Sequence, residues 1–578
     1  MTRPLRSNFE RGTSRWAVRR AQWRALGLTD ADMERPKIAV VNTSSELSSC
    51  FSHLDAVARI AKEAIRAAGG VPFEIRTAAP SDFITSAGAR GGYILPSRDL
   101  IANDIEVQVE GAQLDGMLLL ASCDKTAPGQ LMAAGRLDIP SIVAICGYQR
   151  SGTYRGEHMD IEELFLRAGH VAAGRVSVDE LAEMSENAVR GPGVCAGMGT
   201  ANSMHIVCEA LGMTLPGAAP VAAMSDAMNE QVRGAGARIV AMVLEDLRPR
   251  AIMTAPAFWN AAAAVMAVSG SINCIKHLQA IAIDTGCDVD LLAMFERASR
   301  TVPVLAAVRP NGDYLIEDFE RAGGARALLA RMGPIVDGSP ITVTGRTMQA
   351  QLAGVDVADP DVIRSPHAPF SPGAAIVPVR GNLAPDAGIV KMGLGEGRVR
   401  RFSGPAVIYH SREEALDALA RDEIRPGHVV VLRGMGVTGG PGMAMASALV
   451  FALDGRGIGE QVAVVTDGQL SGLVNKSLVV GEVSPESAVG GPLALVRAGD
   501  RITIDVDART VDLEIDEAEF AARRAAWRPA PASNVRGWLS IYRRTVRPLG
   551  RGAVMTESDE NAGPDRPTPH PPHDEETR

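Results

Sequence analysis

KIAVVNTSS (residues 37–45), HLDAVARIAKEAIRAAGG (53–70) and VPFEIRT (71–77) predict, in this order, a strand, an amphipathic helix and a second strand. The same pattern returns in DGMLLLASC (115–123), GQLMAAGRL (129–137) and PSIVAICG (140–147). Continuous apolar strands joined by helices are typical of a parallel sheet that helices cover on both faces. The sequence therefore predicts an α/β fold whose N-terminal domain is doubly wound.

The composition changes after this domain. Helical patterns dominate between residues 160 and 335, and residues 356–388 are rich in Pro, Gly and Ala, as in a linker or an extended crossing. Short β-type runs separated by turns follow, which predicts a β-rich, barrel-like C-terminal domain. The last residues are polar, acidic and rich in Pro, which predicts disorder. The predicted organisation is an N-terminal arm (1–34), an α/β domain (35–370), a barrel-like domain (371–550) and a disordered tail (551–578).

Composition excludes several classes of function. The chain has 578 residues, 46% of them hydrophobic, and 59 Lys and Arg against 68 Asp and Glu give a net charge of −9. A mildly acidic chain without a basic tract is not expected to bind nucleic acid or an anionic membrane. It contains no secretory apolar segment and no apolar run long enough to span a membrane. We therefore expect a cytoplasmic enzyme with a small-molecule substrate.

Three cysteines are candidate ligands of a metal centre. Cys50, Cys123 and Cys195 each lie at the end of an apolar run or in a Gly-rich turn, 73 and 72 residues apart. Loops at the ends of neighbouring parallel strands converge, and converging thiolates suit a soft metal centre, above all an iron–sulfur cluster. The alternative is that they are small buried hydrophobic residues. The remaining cysteines fit that alternative: Cys146, Cys208, Cys274 and Cys287.

Several longer motifs resemble those of one enzyme family. They are CDKTAPGQLMAAGRLDIPSI, GPGVCAGMGTANSMHIVCEALGMTLPG, GNLAPDAGIVK, TGGPGMAM and VTDGQLSG followed by GEVSPESAVGGPLALV. In this order they resemble the dihydroxy-acid dehydratase/6-phosphogluconate dehydratase family, which includes sugar-acid dehydratases. The resemblance extends from about residue 35 to residue 525.

The resemblance implies a cofactor set and a reaction. It implies an iron–sulfur cluster, 2Fe–2S or 4Fe–4S, held by Cys50, Cys123 and Cys195, and a neighbouring Mg²⁺ held by Asp124 and a carbamoylated Lys125. The reaction is loss of water from a 2,3-dihydroxy carboxylate to give a 2-oxo acid, with the cluster as Lewis acid. It also implies an α/β domain followed by a barrel-like domain, in a homodimer or a dimer of dimers.

The chain departs from the family pattern at the magnesium site. The family's two further magnesium ligands are glutamates, and Ala89 and Met435 stand at those positions. The acid nearest to Ala89 on its N-terminal side is Asp82. Because Mg²⁺ prefers several hard oxygen ligands, the presence of Mg²⁺ is doubtful, and a cation held by Asp124 and Lys125 alone should bind weakly.

The catalytic base is also altered. The family uses a serine in the loop after the DGRFSG-like motif, and here Asn475 or Lys476 falls at that position, with Ser477 next to it. Lys476 and Ser477 are therefore the candidate catalytic residues. A desolvated lysine can act as a base, or its ammonium group can replace the missing cation. The alternative is that Lys476 is an ordinary solvent-facing lysine. Our hypothesis is a mechanism without magnesium, in which the cluster is the Lewis acid and Lys476 takes over the electrostatic role of the cation.

Weaker features and other functions stay open. His53 either supports the cluster or caps a helix, Asn202 and Asn273 lie in turn-like sequences near the predicted pocket, and GVTGGPGMA (436–444) has the composition of a phosphate-binding loop. The substrate is either a branched dihydroxy acid or a sugar acid. The alternatives are a non-catalytic iron–sulfur protein and a dehydratase for a specialised metabolite.

Overall fold

The structure is a computed structural model that describes residues 4–85, 91–394, 397–440, 442–443, 445–470, 477–529 and 535–555. The N-terminal domain is built on a four-stranded sheet of order β2–β1–β3–β4, in which all neighbouring strands are parallel. Three of the strands are buried along their whole length, as their unbroken apolar sequences predict. The strands are β1 (Lys37–Asn42), β2 (Val71–Arg76), β3 (Gly116–Ala121) and β4 (Ser141–Ile145).

Seventeen helices are described before the barrel. They are α1 (Ser14–Ala25), α2 (Asp30–Met33), α3 (Leu54–Ala67), α4 (Asp82–Thr85), α5 (Ile94–Ala112), α6 (Thr126–Leu137), α7 (Ile161–Ala168), α8 (Val178–Asn187), α9 (Thr200–Ala210), α10 (Asp226–Glu245), α11 (Pro249–Ile252), α12 (Ala255–Ala267), α13 (Asn273–Thr285), α14 (Leu291–Thr301), α15 (Ile316–Arg321), α16 (Gly324–Met332) and α17 (Met348–Leu352). Helices α3 and α10 pack together on one face of the sheet, and α6, with α5 and α13, packs on the other. The doubly wound α/β domain is confirmed.

A small antiparallel sheet of order β6–β5–β7 is interrupted in sequence by α7 and α8, which lie between β6 and β7. Its strands are β5 (Arg150–Tyr154), β6 (Glu157–Met159) and β7 (Val189–Arg190). The N-terminal arm lies on the α/β domain, where Ser7 Oγ donates to Asp115 and the ring of Trp23 lies 5.3 Å from that of Phe73.

The C-terminal region contains a closed barrel of order β10–β11–β12–β13–β9–β8–β15–β14. Its strands are β8 (Ile376–Gly381), β9 (Ala384–Lys391), β10 (Arg401–Tyr409), β11 (Val429–Leu432), β12 (Ala463–Thr466), β13 (Val479–Ser484), β14 (Arg501–Asp505) and β15 (Thr510–Leu513). Its helices are α18 (Arg412–Ala420), α19 (Ser447–Gly455), α20 (Glu517–Ala526) and α21 (Trp538–Thr545). Strands β10 to β13 are parallel, and α18 and α19 make two of the crossovers. The barrel-like prediction is confirmed.

The barrel shares its outer face with the core of the α/β domain. Along β11, Val429 and Val431 point into the barrel, and Val430 and Leu432 belong to the large core that also holds the central sheet. Because side chains alternate across a strand, a continuous apolar run fills both cores. This shared core fixes the barrel against the α/β domain.

Three further parts of the chain bear on the sequence predictions. The stretch interpreted as a linker or an extended crossing contains β8 and the start of β9, so the linker interpretation is wrong for residues 376–388. At the start of the predicted tail, Arg98 donates to the carbonyl groups of Gly552 and Ala553, and both Ala553 and Val554 are buried. Residues 556–578 lie outside the described residues.

Every helix in the described ranges is too short or too polar to span a bilayer.

Candidate active site

One cavity of about 210 Å³ lies between the α/β domain and the barrel domain. The N-terminal ends of α6, α9, α13, α18 and α19, with the loops before them, form much of its wall. Helix N-termini carry partial positive charge, so this arrangement favours a bound anion such as a carboxylate. The wall residues able to titrate or to ligate a metal are Asp82, Cys123, Asp124, Glu162, Cys195 and Arg412.

Of the three predicted cysteine ligands, Cys123 and Cys195 line this cavity, and Cys50 lies next to Cys123. Cys50 lies between β1 and α3, and Cys123 lies between β3 and α6, so both follow neighbouring strands. The two thiols are hydrogen-bonded to each other, and Cys195 is close enough for its charge to interact with that of Cys50. Ser122 Oγ donates to the Cys50 carbonyl group over 2.6 Å and ties the two loops together. All three cysteines are free of disulfides.

The thiols have the properties of soft-metal ligands. The hydrogen bond from Cys123, helped by Ser48 and Ser81, lowers the pKa of Cys50 to about 7. Burial raises the pKa of Cys195, and so does the charge of Cys50. Because thiolates bind metals and thiols do not, these groups would lose their protons on binding a cation. Two buried sulfur donors and a third, partly buried one, none of them in a disulfide, fit an iron–sulfur cluster.

A group of oxygen donors lies beside the thiols. Ligand atoms of Asp82, Cys123 and Asp124 lie within 4.8 Å of one another. Asp82 is the first residue of α4, and its Oδ1 has no hydrogen-bond partner among the described residues. Burial and the charge of Asp124 raise the pKa of Asp82 to about 8. Two carboxylates this close fit a hard divalent cation, which would remove their repulsion.

Lys125 is the buried counter-charge of this group. Its Nζ lies 3.4 Å from Asp82 Oδ2 and 3.7 Å from Asp124 Oδ2. Burial alone would lower the pKa of Lys125, but the charges of Asp82 and Asp124 outweigh it and raise the pKa. Carbamoylation requires the neutral amine, so a bound cation that reduces the effect of these carboxylates would favour it.

Polar side chains fix the turn that carries Cys195. Asn202 Nδ2 donates to the carbonyl groups of Cys195 and Gly197, both over 2.8 Å. Asn273 Nδ2 donates to Thr200 Oγ1 over 2.9 Å, and both residues line the cavity. Asn202 and Asn273 therefore lie at the pocket, although each occupies the first turn of a helix and not a loop.

Two models of one protein family together match most of this chain. Residues 35–351 match the family description "Dihydroxy-acid/6-phosphogluconate dehydratase N-terminal", and residues 361–553 match "Dihydroxy-acid/6-phosphogluconate dehydratase C-terminal". The chain belongs to this dehydratase family. It is accordingly an enzyme of the hydro-lyase class.

Relatives match over nearly the whole chain. The dihydroxy-acid dehydratase of Ignicoccus hospitalis is 39% identical over 542 residues, which cover 93% of this chain and 98% of the relative. That of Moorella thermoacetica is 40% identical with the same coverage. Dihydroxy-acid dehydratase 1 of Methanosarcina acetivorans is 38% identical over 543 residues, again with 93% and 98% coverage. The resemblance inferred from the motifs is confirmed.

The predicted catalytic residues fall elsewhere. Lys476 and Ala89 lie outside the described residues. Ser477 lines a separate, smaller cavity with Lys391 and Glu460, so the structure does not bring it to the dehydratase cavity, and its role stays a prediction. Met435 is buried after β11 and offers no carboxylate.

Two weaker predictions are resolved. The backbone N–H groups of Thr438 and Gly439 donate to the carboxylate of Glu486, so this internal anion occupies part of the loop interpreted as phosphate-binding. His53 is at the N-cap of α3 but makes no side-chain capping bond. Its Nε2 lies 2.7 Å from the Cys146 carbonyl oxygen, so the helix-capping interpretation is wrong.

Sequence reasoning missed Glu162, Arg412 and a buried ion pair. Glu162 and Arg412 both line the cavity. Lys276 of α13 donates to Glu482 of β13 and to Asn273, and so joins the barrel to the cavity wall. A signal was present for Lys276, because a lysine within the apolar helix INCIKHLQAIAI needs a buried partner. Nothing local marks Glu162 in IEELFLRA as different from a surface acid.

Proposed function

We propose that this dehydratase removes water from a 2,3-dihydroxy carboxylic acid with an apolar substituent and releases the 2-oxo acid. The observation that carries the proposal is the convergence of three free thiols and a carboxylate pair on one cavity. The relatives named dihydroxy-acid dehydratase support the same reaction.

The thiols and the oxygen donors would hold two different groups. Cys50, Cys123 and Cys195 would hold an iron–sulfur cluster, 2Fe–2S or 4Fe–4S, which supplies a Lewis acid for departure of the C3 hydroxyl. Asp82, Asp124 and a carbamoylated Lys125 would hold Mg²⁺, which supplies positive charge beside the substrate carboxylate and C2 oxygen.

The chain's own residues bind and orient the substrate. Arg412 is the basic side chain on the cavity wall, and its charge suits the substrate carboxylate. Thr200 and Asn273 offer a hydroxyl and an amide to the hydroxyl groups of the substrate. The base that takes the C2 proton is assigned, as a prediction, to Lys476 or Ser477 in the segment before β13.

The apolar part of the cavity wall favours an alkyl substituent over a sugar chain. Phe83, Phe165, Met445 and Ala448 present apolar surface to the cavity. A second, mainly apolar cavity of about 420 Å³ shares Phe165 and Ala448 with the first. Hydroxyl groups of a sugar acid would lose their hydrogen bonds to water there. A branched dihydroxy acid avoids that cost.

An anaerobic assay of 2-oxo acid formation tests this proposal. Purified protein with bound iron is incubated with 2,3-dihydroxy-3-methylbutanoate and, in parallel, with gluconate. We expect turnover of the branched acid at a kcat/KM at least about 10-fold above that of gluconate, from the buried apolar contacts. A preference for gluconate would contradict the substrate assignment. Absence of 2-oxo acid from both would leave a specialised substrate or a non-catalytic iron–sulfur protein.

A cytoplasmic location and assembly as a homodimer or a dimer of dimers stay predictions. All seven cysteines are free, which supports a reducing compartment.

A further inference from the structure

Glu162 is a buried acid on the cavity wall without a partner. It is the second residue of α7, and only 7% of its surface is exposed. Its Oε2 has no hydrogen-bond partner, and no basic group forms an ion pair with it in the described part of the chain. A buried carboxyl group without a donor or a cation is costly and calls for an explanation.

Two glycines leave the space that this carboxyl group occupies. A Cβ atom at Gly197 would lie 1.9 Å from Glu162 Oε2, and one at Gly199 would lie 3.0 Å from Oε1. Both glycines line the cavity, in the turn that follows Cys195. The carboxyl group is therefore held against the backbone at the edge of the site and not directed to solvent.

The charges around the cavity are unbalanced. Asp82, Asp124 and Glu162 line the wall, but the buried Lys125 pairs only with Asp82 and Asp124, and Arg412 on the same wall pairs with Glu413. Burial raises the pKa of Glu162, and the charges of Asp160 and Asp124 raise it further. Asp160 is itself engaged, because it caps α7 and pairs with His158. A divalent cation on this side would balance carboxylates that the protein leaves unpaired.

We propose that Glu162 completes a divalent-cation site with Asp82 and Asp124, in place of the glutamates absent at positions 89 and 435. The carboxyl group of Glu162 lies outside the group of ligand atoms formed by Asp82, Cys123 and Asp124. It reaches the cation through a bound water, because Mg²⁺ retains several water ligands in proteins. The inference rests on the cavity of the proposed function and concerns the oxygen side of that cavity alone.

Mn²⁺ binding to the iron-containing protein tests the role of Glu162. Mn²⁺ is titrated under anaerobic conditions and followed by electron paramagnetic resonance, with Mg²⁺ as competitor to identify the site. Glu162→Gln keeps the size of the side chain and removes its charge. We expect it to weaken Mn²⁺ binding by about 10- to 100-fold, as for other residues that support metal ligands from outside the coordination sphere.

Glu163→Gln is the matched control. Glu163 is the next residue of α7, and its side chain pairs with Arg167 away from the cavity. This variant should bind Mn²⁺ like the wild type. Gly197→Ala is the second test, because its methyl group would displace the Glu162 carboxyl group without removing it, and it should weaken Mn²⁺ binding in the same direction.

Wild-type Mn²⁺ affinity in Glu162→Gln overturns the proposal. Should that variant lose its iron, wild-type affinity in Gly197→Ala overturns it instead. A wild-type protein that binds no Mn²⁺ also overturns it. If the wild type forms no 2-oxo acid but its Mn²⁺ affinity depends on Glu162, the proposed function fails and the cation site stands.

Discussion

On the thiol side of the cavity, Cys50 and Cys123 follow neighbouring parallel strands, whereas on the carboxylate side Asp82 and Glu162 come from α4 and α7, outside the central sheet. The sheet sets the separation of the two free thiols, which interact through a hydrogen bond. Asp82 and Asp124 repel each other and share Lys125, whereas no basic group in the described part of the chain pairs with Glu162. The backbone thus builds the thiol side without a ligand, while the carboxylate side has excess charge that a cation would balance.

Cys123→Ser tests the thiol side and should have the largest effect. Serine is a poor ligand for iron, so the variant should lose most bound iron and at least about 1,000-fold in turnover, since a Lewis acid contributes several kcal/mol to such a step. Iron per chain and 2-oxo acid formation are measured. Cys287→Ser, a partly exposed cysteine outside the cavity, should keep its iron. Full iron content in Cys123→Ser would contradict the assignment.

Asp124→Asn tests whether the two sides are independent. It removes one of the two carboxylates beside Lys125 and should lower turnover by about 100-fold while the iron content stays unchanged. The same variant should bind Mn²⁺ more weakly than the wild type. Loss of iron together with Mn²⁺ would show that the thiol side depends on the carboxylate side.

The contrast between the two sides also explains what the sequence could predict. Strand–loop–helix patterning placed Cys50 and Cys123 correctly, because adjacent strands bring their loops together whatever the side chains are. Asp82 was identified only as the nearest acid to Ala89, and Glu162 was not identified. Their positions depend on how α4 and α7 pack over the sheet, and no local sequence pattern encodes that packing. Pro378 and Pro385 lie within β8 and β9, so the proline-rich composition of this stretch did not exclude strands.

Substitutions in the buried ion pair of Lys276 and Glu482 test how the barrel is held against the cavity wall. Burial lowers the pKa of Lys276 and raises that of Glu482, so each charge depends on the other in this environment. Lys276→Met should cost about 3–5 kcal/mol, the usual effect of leaving one buried charge unpaired. The double variant with Glu482→Met should recover most of this loss. Denaturant unfolding of the wild type, the two single variants and the double variant measures the interaction energy between the two residues. Additive losses would show that the two residues do not stabilise each other.

Substitution of Arg412 tests the part of the cavity wall that the barrel domain supplies, and it should have the smallest effect, because it concerns binding and not chemistry. Its Nε and Nη2 donate to the adjacent Glu413, which holds the guanidinium group at the start of α18. If this group pairs with the substrate carboxylate, Arg412→Gln should raise KM by about 10-fold and leave kcat nearly unchanged, since the interaction exists before and during the reaction. Arg421→Gln, on the exposed end of the same region, is the control and should change neither constant. A fall in kcat at constant KM would place Arg412 in the chemical step and extend the charged side of the site from the carboxylates to the barrel domain.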